Sequence, residues 1–541
     1  MYNRRKLLFL TILIASIFLF WLSSQIHSAA GSVPDLASAK DEVYSLIDSG
    51  QITAAAEHVN QICSSYSGDP QLPMQLCLIA ERYEEADSIG QAKALNTRIA
   101  ADFPESDYGV YARLQLAKMS IYELIDARNY ESAETAIKQM TVDFADNQNL
   151  AKRLWEIAHR YDKIATRYDE RVAFDYSKAL CKKVVDNYPE DEYSTYASLL
   201  LAKLKAYELI NAGDYESAYS IVTQILEDFA GHEQLPRSLW EIANRYEKFK
   251  ASGYSKLLCE QIVADYPHDK YARYAALQLA ESRVYELIDG GNYEAADSNV
   301  SEMLEDFAGH KQLSRRLYEI AEKYSRNEAW PYAEALYGRI AADYPKDKYG
   351  LKAKLGVSRT NVLSLIMSQD CNQAEAALDK MVADFNNNPY LAEAVLIIGL
   401  QCHDGGLSKE NQGLTEQARY RFEKAVEICD RVINEFPDYS FVPEACCRAG
   451  DCYYKLGKQE ESIQRYQKVI DDYPKYEFAW HAQFMIGYCY EGLKNSGVVE
   501  KSAADAQTKA AYEQVIQNYP DCEATEYVRS WLAGGRAEKE K

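Results

Sequence analysis

Residues 207–267 read YELINAGDYESAYSIVTQILEDFAGHEQLPRSLWEIANRYEKFKASGYSKLLCEQIVADYP, and recognisable copies of this stretch lie before and after it. A Leu-Ile pair near the start of each copy recurs at steps of 78, 85, 78 and 78 residues, with its leucine at Leu46, Leu124, Leu209, Leu287 and Leu365. An aromatic-Pro pair ends the copies at steps of 85, 78 and 78 residues, with its aromatic residue at Phe103, Tyr188, Tyr266 and Tyr344. A fixed period of this kind indicates stacked supersecondary units, so the protein is a repeat array.

Each copy divides into two shorter repeats. A second marker, Asp-Phe followed by Ala or Asn, has its phenylalanine at Phe144, Phe229, Phe307 and Phe385. At Phe229 and Phe307 this marker lies 41 residues after one aromatic-Pro pair and 37 residues before the next. The basic repeat therefore alternates between these two lengths. Seven extra residues around 165–171 account for the long step of 85 and predict a local insertion.

The apolar residues inside each repeat follow helical spacing, as at Leu239, Ile242, Ala243 and Tyr246, and no alternating strand pattern interrupts them. Turns such as the one at Gly213 separate two helices, and the proline after Tyr or Phe ends each second helix. The sequence therefore predicts an all-α fold of tandem antiparallel helix pairs. Five double units and two further repeats give about twelve pairs.

The C-terminal part carries the clearest motif, in AGDCYYKLGKQEESIQRYQKVIDDYP. Its small, aromatic and proline positions match the tetratricopeptide consensus at Gly450, Tyr453, Gly457, Ser462, Tyr466, Val469 and Pro474. A second copy follows with Gly487, Tyr490, Tyr512, Val515 and Pro520. The chain thus resembles tetratricopeptide repeat proteins over nearly all of its length after the first 30 residues. This resemblance implies a right-handed α-solenoid and a role in protein–protein interaction, and it says little about the partner.

The repeat length departs from the consensus. Repeats of 37 and 41 residues exceed its usual length of about 34, which predicts helices longer by up to a turn. Extended repeats that close on Tyr-Pro are similar to those of exported envelope proteins, such as the outer-membrane assembly lipoprotein of the barrel machinery and the periplasmic coordinator of the Tol-Pal system. The sequence lacks a lipid-attachment cysteine near its N-terminal segment, which departs from the first of these.

The order of these features predicts four segments. Residues 1–30 form a signal peptide or N-terminal membrane anchor, residues 35–437 an array of five double repeats, residues 438–522 a C-terminal repeat pair, and residues 523–541 a polar tail. Insertions at 165–171, 404–417 and 494–505 are expected to form loops between the two helices of a pair. The second insertion is rich in glycine and polar residues and offers a hinge.

The N-terminal segment combines Arg4, Arg5 and Lys6 with an apolar run at residues 7–22. Basic residues before such a run direct the following chain away from the cytoplasm. A helix of this length measures roughly 24 Å, less than the roughly 30 Å of a bilayer core, and Ser28-Ala29-Ala30 offers a cleavage site. A cleaved signal and an uncleaved transmembrane anchor both fit, and either places the array on the periplasmic or extracellular side of the membrane.

Composition narrows the range of partners. A net charge of −22 excludes extended contact with nucleic acid, and it fits either solvated helix faces or a groove that accepts a basic segment. The 12 cysteines show no metal-ligand or haem spacing, and in an exported chain a disulfide within the region from Cys371 to Cys452 is an open alternative whose connectivity the sequence does not give. No phosphate-binding loop, zinc helix, nucleophile elbow or calcium loop occurs in the sequence. We therefore expect no cofactor, no metal and no catalysis.

The first helices are expected to line the concave side of the array, where repeat-equivalent residues could form a ladder for an extended peptide. The candidate ladder consists of the aromatic residues Trp155, Trp240 and Tyr318 and, four positions on, His159, Asn244 and Glu322. The simpler alternative is that the aromatic rings only pack between helices.

These observations predict an exported or membrane-tethered scaffold that binds a protein partner, with an extended or basic segment as the bound element. A solenoid that binds envelope glycan through Tyr and Trp is the alternative, and an enzyme of unrecognised type is a more distant one.

Overall fold

The computed structural model describes residues 35–168 and 170–534, and within them all regular secondary structure is α-helical. The helices are α1 (Leu36–Asp48), α2 (Ile52–Ser65), α3 (Leu72–Glu85), α4 (Ile89–Asp102), α5 (Asp107–Asp126), α6 (Tyr130–Asp143), α7 (Leu150–Tyr168), α8 (Arg171–Asn187), α9 (Glu192–Asn211), α10 (Tyr215–Asp228), α11 (Leu235–Lys248), α12 (Ser252–Asp265), α13 (Lys270–Asp289), α14 (Tyr293–Asp306), α15 (Leu313–Arg326), α16 (Trp330–Asp343), α17 (Lys348–Met367), α18 (Cys371–Asp384), α19 (Leu391–Asn411), α20 (Thr415–Glu435), α21 (Val442–Lys455), α22 (Gln459–Asp472), α23 (Ala479–Asn495), α24 (Lys501–Asn518) and α25 (Thr525–Leu532). The described residues thus hold twelve helix pairs and one final helix.

The predicted fold class is therefore confirmed as an all-α array of tandem helix pairs. The described residues divide into two compact units, with the boundary after residue 258. This division lies elsewhere than the predicted change of repeat type at residue 438. The right-handedness of the solenoid stays a prediction.

Short turns with fixed chemistry join the two helices of a pair. After α9, Gly213 has φ of 78°, and the side chain of Asp214 then accepts a hydrogen bond from Ser217 N at 3.1 Å. Arg128 and Gln369 occupy the same repeat position with φ of 59° and 63°, so two copies hold a side chain in the left-handed region that glycine favours. The turn geometry is kept even where glycine is absent.

First helices come in two lengths, which explains the alternating repeats. Helices α5 and α9 have 20 residues each, whereas α3 and α11 have 14. The added length exceeds the single turn that the repeat spacing predicted. The long helices begin at capped residues after the aromatic-Pro pair, as where Asp191 accepts from Tyr193 N at 2.9 Å.

Two of the three insertions that were predicted to form loops extend helices instead, so these two predictions are wrong. Helices α7 and α8 have 19 and 17 residues, whereas α11 and α12 have 14 each, so the first insertion lengthens both helices of its pair. The second insertion does the same, because α19 and α20 have 21 residues each. The inserted residues keep an apolar spacing that buries Ala165 and Gly406. The third insertion does contain a loop, between Asn495 and Lys501.

The predicted hinge at 404–417 is likewise not a hinge in the structure. Gly405 and Gly406 lie within α19, and a Cβ at Gly406 would come within 2.6 Å of the Phe422 ring. These glycines permit close packing of α19 against α20. At the C-terminus, α25 occupies the first part of the predicted polar tail, with Val528 fully buried.

The N-terminal targeting segment, residues 1–30, lies outside the described residues. Within residues 35–168 and 170–534, no helix has both the length and the apolar character needed to cross a membrane. The cysteines in this part of the chain are free thiols, and all of them except Cys371 and Cys522 are buried.

The consensus positions of the C-terminal repeats mark the places where two helices cross closely. A Cβ at Gly450 would lie 2.7 Å from the Tyr466 ring, and at Gly487 it would lie 2.4 Å from the Tyr512 ring. Tyr466 is fully buried, and its hydroxyl donates to Asp451 Oδ1 at 2.6 Å. Each ring thus fills the space that glycine leaves on the facing helix.

Replacing Tyr466 by alanine should destabilise α21 to α23 by about 3 to 5 kcal/mol, because a buried ring and its hydrogen bond are lost. Hydrogen exchange with mass spectrometry should show the loss of protection in these helices and unchanged protection in α1 to α4. Phe441→Ala, at a ring that is 48% exposed, is the matched control. A uniform loss of protection along the chain would contradict the nearest-neighbour stacking of repeats.

Candidate functional site

The first helices of successive pairs form a layer within each unit. In the first unit α5, α7, α9 and α11 pack in sequence, and in the second unit α13, α15, α17 and α19 do the same. Second helices pack mainly against first helices. We call the solvent side of this layer the first-helix face. All six candidate residues lie on helices of this layer, namely α7, α11 and α15.

Trp155 is partly exposed and belongs to an aromatic cluster. Its ring lies 5.5 Å from the Tyr193 ring and 5.2 Å from the Tyr196 ring, measured between centroids. The His159 ring stacks on its other side at 5.8 Å with an interplanar angle of 1°. The cluster holds the indole in a fixed orientation, which is what a binding anchor requires.

His159 is held as a neutral imidazole. Arg237 Nη2 lies 3.1 Å from its Nε2, and Asp162 lies 3.6 Å from its Nδ1. Nε2 therefore accepts from the guanidinium while the proton sits on Nδ1. Desolvation, together with the positive charges of Lys203 and Arg237, lowers the pKa of His159 to about 3.

In the second pair of candidates, the side chain of Asn244 is bonded to its own helix. Asn244 Nδ2 donates to Trp240 O at 2.8 Å, so the amide is engaged with the backbone of α11. Trp240 is half-buried.

The third pair of candidates lies inside the protein. Tyr318 and Glu322 are each 8% exposed, and Glu322 forms an ion pair with Arg359. The Tyr318 ring packs 5.6 Å from the Tyr337 ring. Burial of this pair interrupts the predicted ladder, in which Trp155 and Trp240 stay partly exposed.

A set of buried charged residues was not singled out by the sequence analysis. They occupy one repeat-equivalent position in the long first helices, at steps of 85, 78 and 78 residues, and each is at most 4% exposed. The set comprises Lys118, Lys203, Glu281 and Arg359. An ionisable residue recurring on the apolar stripe of a helix is the signal that could have found them.

Each of these charges is paired with a neighbouring first helix. Lys203 Nζ, on α9, lies 2.7 Å from both Asp162 on α7 and Glu241 on α11. It therefore joins three successive first helices. Its pKa is raised, because the attraction of these two carboxylates outweighs desolvation. Lys118 makes the equivalent bridge, at 2.5 Å to Glu84 and 3.3 Å to Glu156.

A cavity of about 390 Å³ opens on the first-helix face of the first unit, and we call it the Trp155 cavity. Trp155 and His159 line it, and its walls hold five carboxylates against the two cationic side chains Arg160 and Lys163. Four of these carboxylates form ion pairs with neighbouring cations, so the cavity is close to neutral overall. The aromatic ring on its wall can contact an apolar or cationic side chain.

A cavity of about 380 Å³ lies on the first-helix face of the second unit, and we call it the Trp330 cavity. It opens between α15, α17 and α19, where Trp330, Met367, Ile397 and Leu400 supply apolar walls. Neither cavity brings together a nucleophile and a base in the arrangement that acyl or phosphoryl transfer requires. Across the described part of the chain, no group of three or more His, Cys, Asp or Glu side chains is arranged to hold a metal ion.

Comparison with known proteins supports the repeat assignment at the C-terminus. The tetratricopeptide repeat family model matches residues 448–476 and 481–521, which fall within α21 to α24 and the turn that follows. A solved structure of a tetratricopeptide repeat protein from Parabacteroides merdae is similar at 12% identity with a TM-score of 0.28, covering 62% of this chain and 98% of that chain. No curated protein matches the sequence.

The neutral state of His159 predicts a pH dependence of stability. The unfolded imidazole takes up a proton near pH 6.5, whereas the folded one does so only at about pH 3. Stability therefore falls as pH drops below 6.5, by about 1 to 2 kcal/mol at pH 5. Hydrogen exchange of α7 at pH 7 and pH 5, corrected for intrinsic exchange rates, measures this loss.

His159→Gln should remove that part of the pH dependence, because glutamine can still accept from Arg237 and does not titrate. The matched control is His268→Gln, at an exposed histidine. The same pH dependence in the wild type and the His159 variant would show that this imidazole is not held neutral.

Proposed function

We propose that this chain is an exported or membrane-tethered scaffold that binds a partner protein in the cell envelope through its first-helix face, without catalysis. Tetratricopeptide repeats generally mediate protein–protein interaction, and the match at 448–476 and 481–521 supports that role. The N-terminal pattern of basic residues before an apolar run supports export.

The observation that carries the proposal is the setting of Trp155. A partly exposed indole, held by Tyr193, Tyr196 and His159, lines the Trp155 cavity. Aromatic anchors fixed in such surroundings contribute much of the free energy of protein–protein binding. The net charge of −22 of the chain favours a partner segment that carries basic residues.

Binding of envelope glycan is the alternative function. It requires an exposed row of aromatic rings beside free amides, and the candidates do not form such a row. Tyr318 is buried, and the Asn244 amide is bonded to its own helix. The polypeptide therefore has more support as the bound element.

Crosslinking with a membrane-impermeant reagent on spheroplasts, followed by purification and mass spectrometry, tests the proposal. The wild-type chain should be modified and should recover one or a few envelope proteins. Trp155→Ala should reduce their recovery about tenfold or more, because an aromatic anchor contributes about 2 kcal/mol or more. Val142→Ala, at a residue 73% exposed on the second helix α6, should leave recovery unchanged.

Three outcomes would contradict parts of the proposal. A chain modified only after lysis is not exported. Equal recovery by the Trp155 and Val142 variants would remove the first-helix face as the binding surface. Recovery of glycan in place of protein would favour the alternative function.

A further inference from the structure

A polar pair recurs between consecutive first helices of the array. It joins the last residue of one first helix to a residue of the next first helix, at positions that repeat with steps of 78, 85 and 78 residues. Four copies form it at 2.6 to 2.8 Å, namely Arg82 with Asp48, Arg160 with Asp126, Arg245 with Asn211 and Lys323 with Asp289. We call this feature the cross-helix pair.

The fifth copy of the cross-helix pair is lost. Met367 stands at the end of α17 where the other copies have an acceptor, and Gln401 stands on α19 where they have a cation. Gln401 Oε1 accepts from Ser325 Oγ at 3.3 Å. Its Nε2 is shielded from solvent and finds no acceptor among the described residues. A buried donor in this state gains from any ligand that brings an acceptor.

The same place holds the Trp330 cavity, and Gln401 lines it. The Trp155 cavity occupies the equivalent position in the first unit, so the two sites can be compared residue by residue. At the positions of Met367, Ile397 and Leu400 the Trp155 cavity has Asp126, Glu156 and His159. Three polar lining residues are thus replaced by apolar ones in the copy where Gln401 Nε2 has no acceptor among the described residues.

We propose that the Trp330 cavity binds a large apolar side chain of a partner polypeptide, with Gln401 Nε2 donating to a main-chain carbonyl next to that side chain. An apolar group a few ångströms from a neutral acceptor is what each residue of an extended peptide offers. This assignment rests on the proposed function. It specifies which chemical groups of the partner polypeptide the Trp330 cavity binds.

The charge of the whole chain favours basic flanking residues in the partner. Within the cavity, Glu322 and Glu328 are paired with Arg359 and Arg421, and Arg326 offsets Asp404 at the rim, so the lining itself is close to neutral. The net charge of −22 of the chain attracts basic residues on either side of the apolar one.

The test uses the full-length chain and a short fluorescein-labelled peptide that has a central leucine between lysines, with anisotropy as the readout. A peptide with alanine in place of leucine should bind at least about tenfold more weakly, because the apolar contact is lost. A peptide with glutamates in place of the lysines should also bind more weakly.

The matched variant rebuilds the cross-helix pair with the residues that other copies use, as Met367→Asp together with Gln401→Arg. It should keep the wild-type thermal stability and lose leucine-dependent binding, because the new pair occupies the cavity and satisfies the donor. Ile397→Glu, which restores the residue found in three other copies, should weaken binding by the same route.

Each outcome either supports or contradicts the binding assignment of the Trp330 cavity. Leucine-dependent binding that both variants abolish supports the assignment. Peptide binding that is equal in the wild type and the rebuilt variant overturns it and leaves the scaffold function standing. No binding of any peptide by the wild-type chain counts against both the cavity assignment and the peptide-binding function.

Discussion

One buried charge in each long first helix holds the layer of first helices together. Lys203 illustrates it, since its ammonium contacts carboxylates on the helices before and after its own. A buried charge is costly unless every partner is present, so each copy depends on its immediate neighbours. Because a single helix pair cannot supply these partners, the stacked array is the smallest stable form of this arrangement.

The same dependence explains how binding sites arise without new structural elements. Equivalent positions keep their backbone geometry from copy to copy while their side chains vary. Where Asp126 and Arg160 pair in one copy, Met367 and Gln401 leave a donor unsatisfied in another. A site of different chemistry thus results from a few substitutions at fixed positions of the first-helix face.

The sequence predicts the fold well, and partner binding by the candidate site residues stays a prediction. Step lengths and proline positions were enough to predict twelve helix pairs, because helix ends leave local marks. The insertions were misread as loops, since residues such as Ala165 keep helical spacing and extend both helices. The prediction of an exposed aromatic ladder is wrong at Tyr318, which is buried. Burial depends on neighbouring helices, and a repeat period alone does not fix which side of a helix faces solvent.

The central claim is that the first-helix face, and not the surface of the second helices, contacts the partner. Site-specific photo-crosslinking in living cells tests it directly, with the photoreactive residue placed at Tyr196 or Ile397 on that face, or at Val142 or Leu257 on second helices. The account predicts crosslinks to a common partner from the first two positions and none from the last two. Crosslinks that arise mainly from Val142 and Leu257 would contradict it.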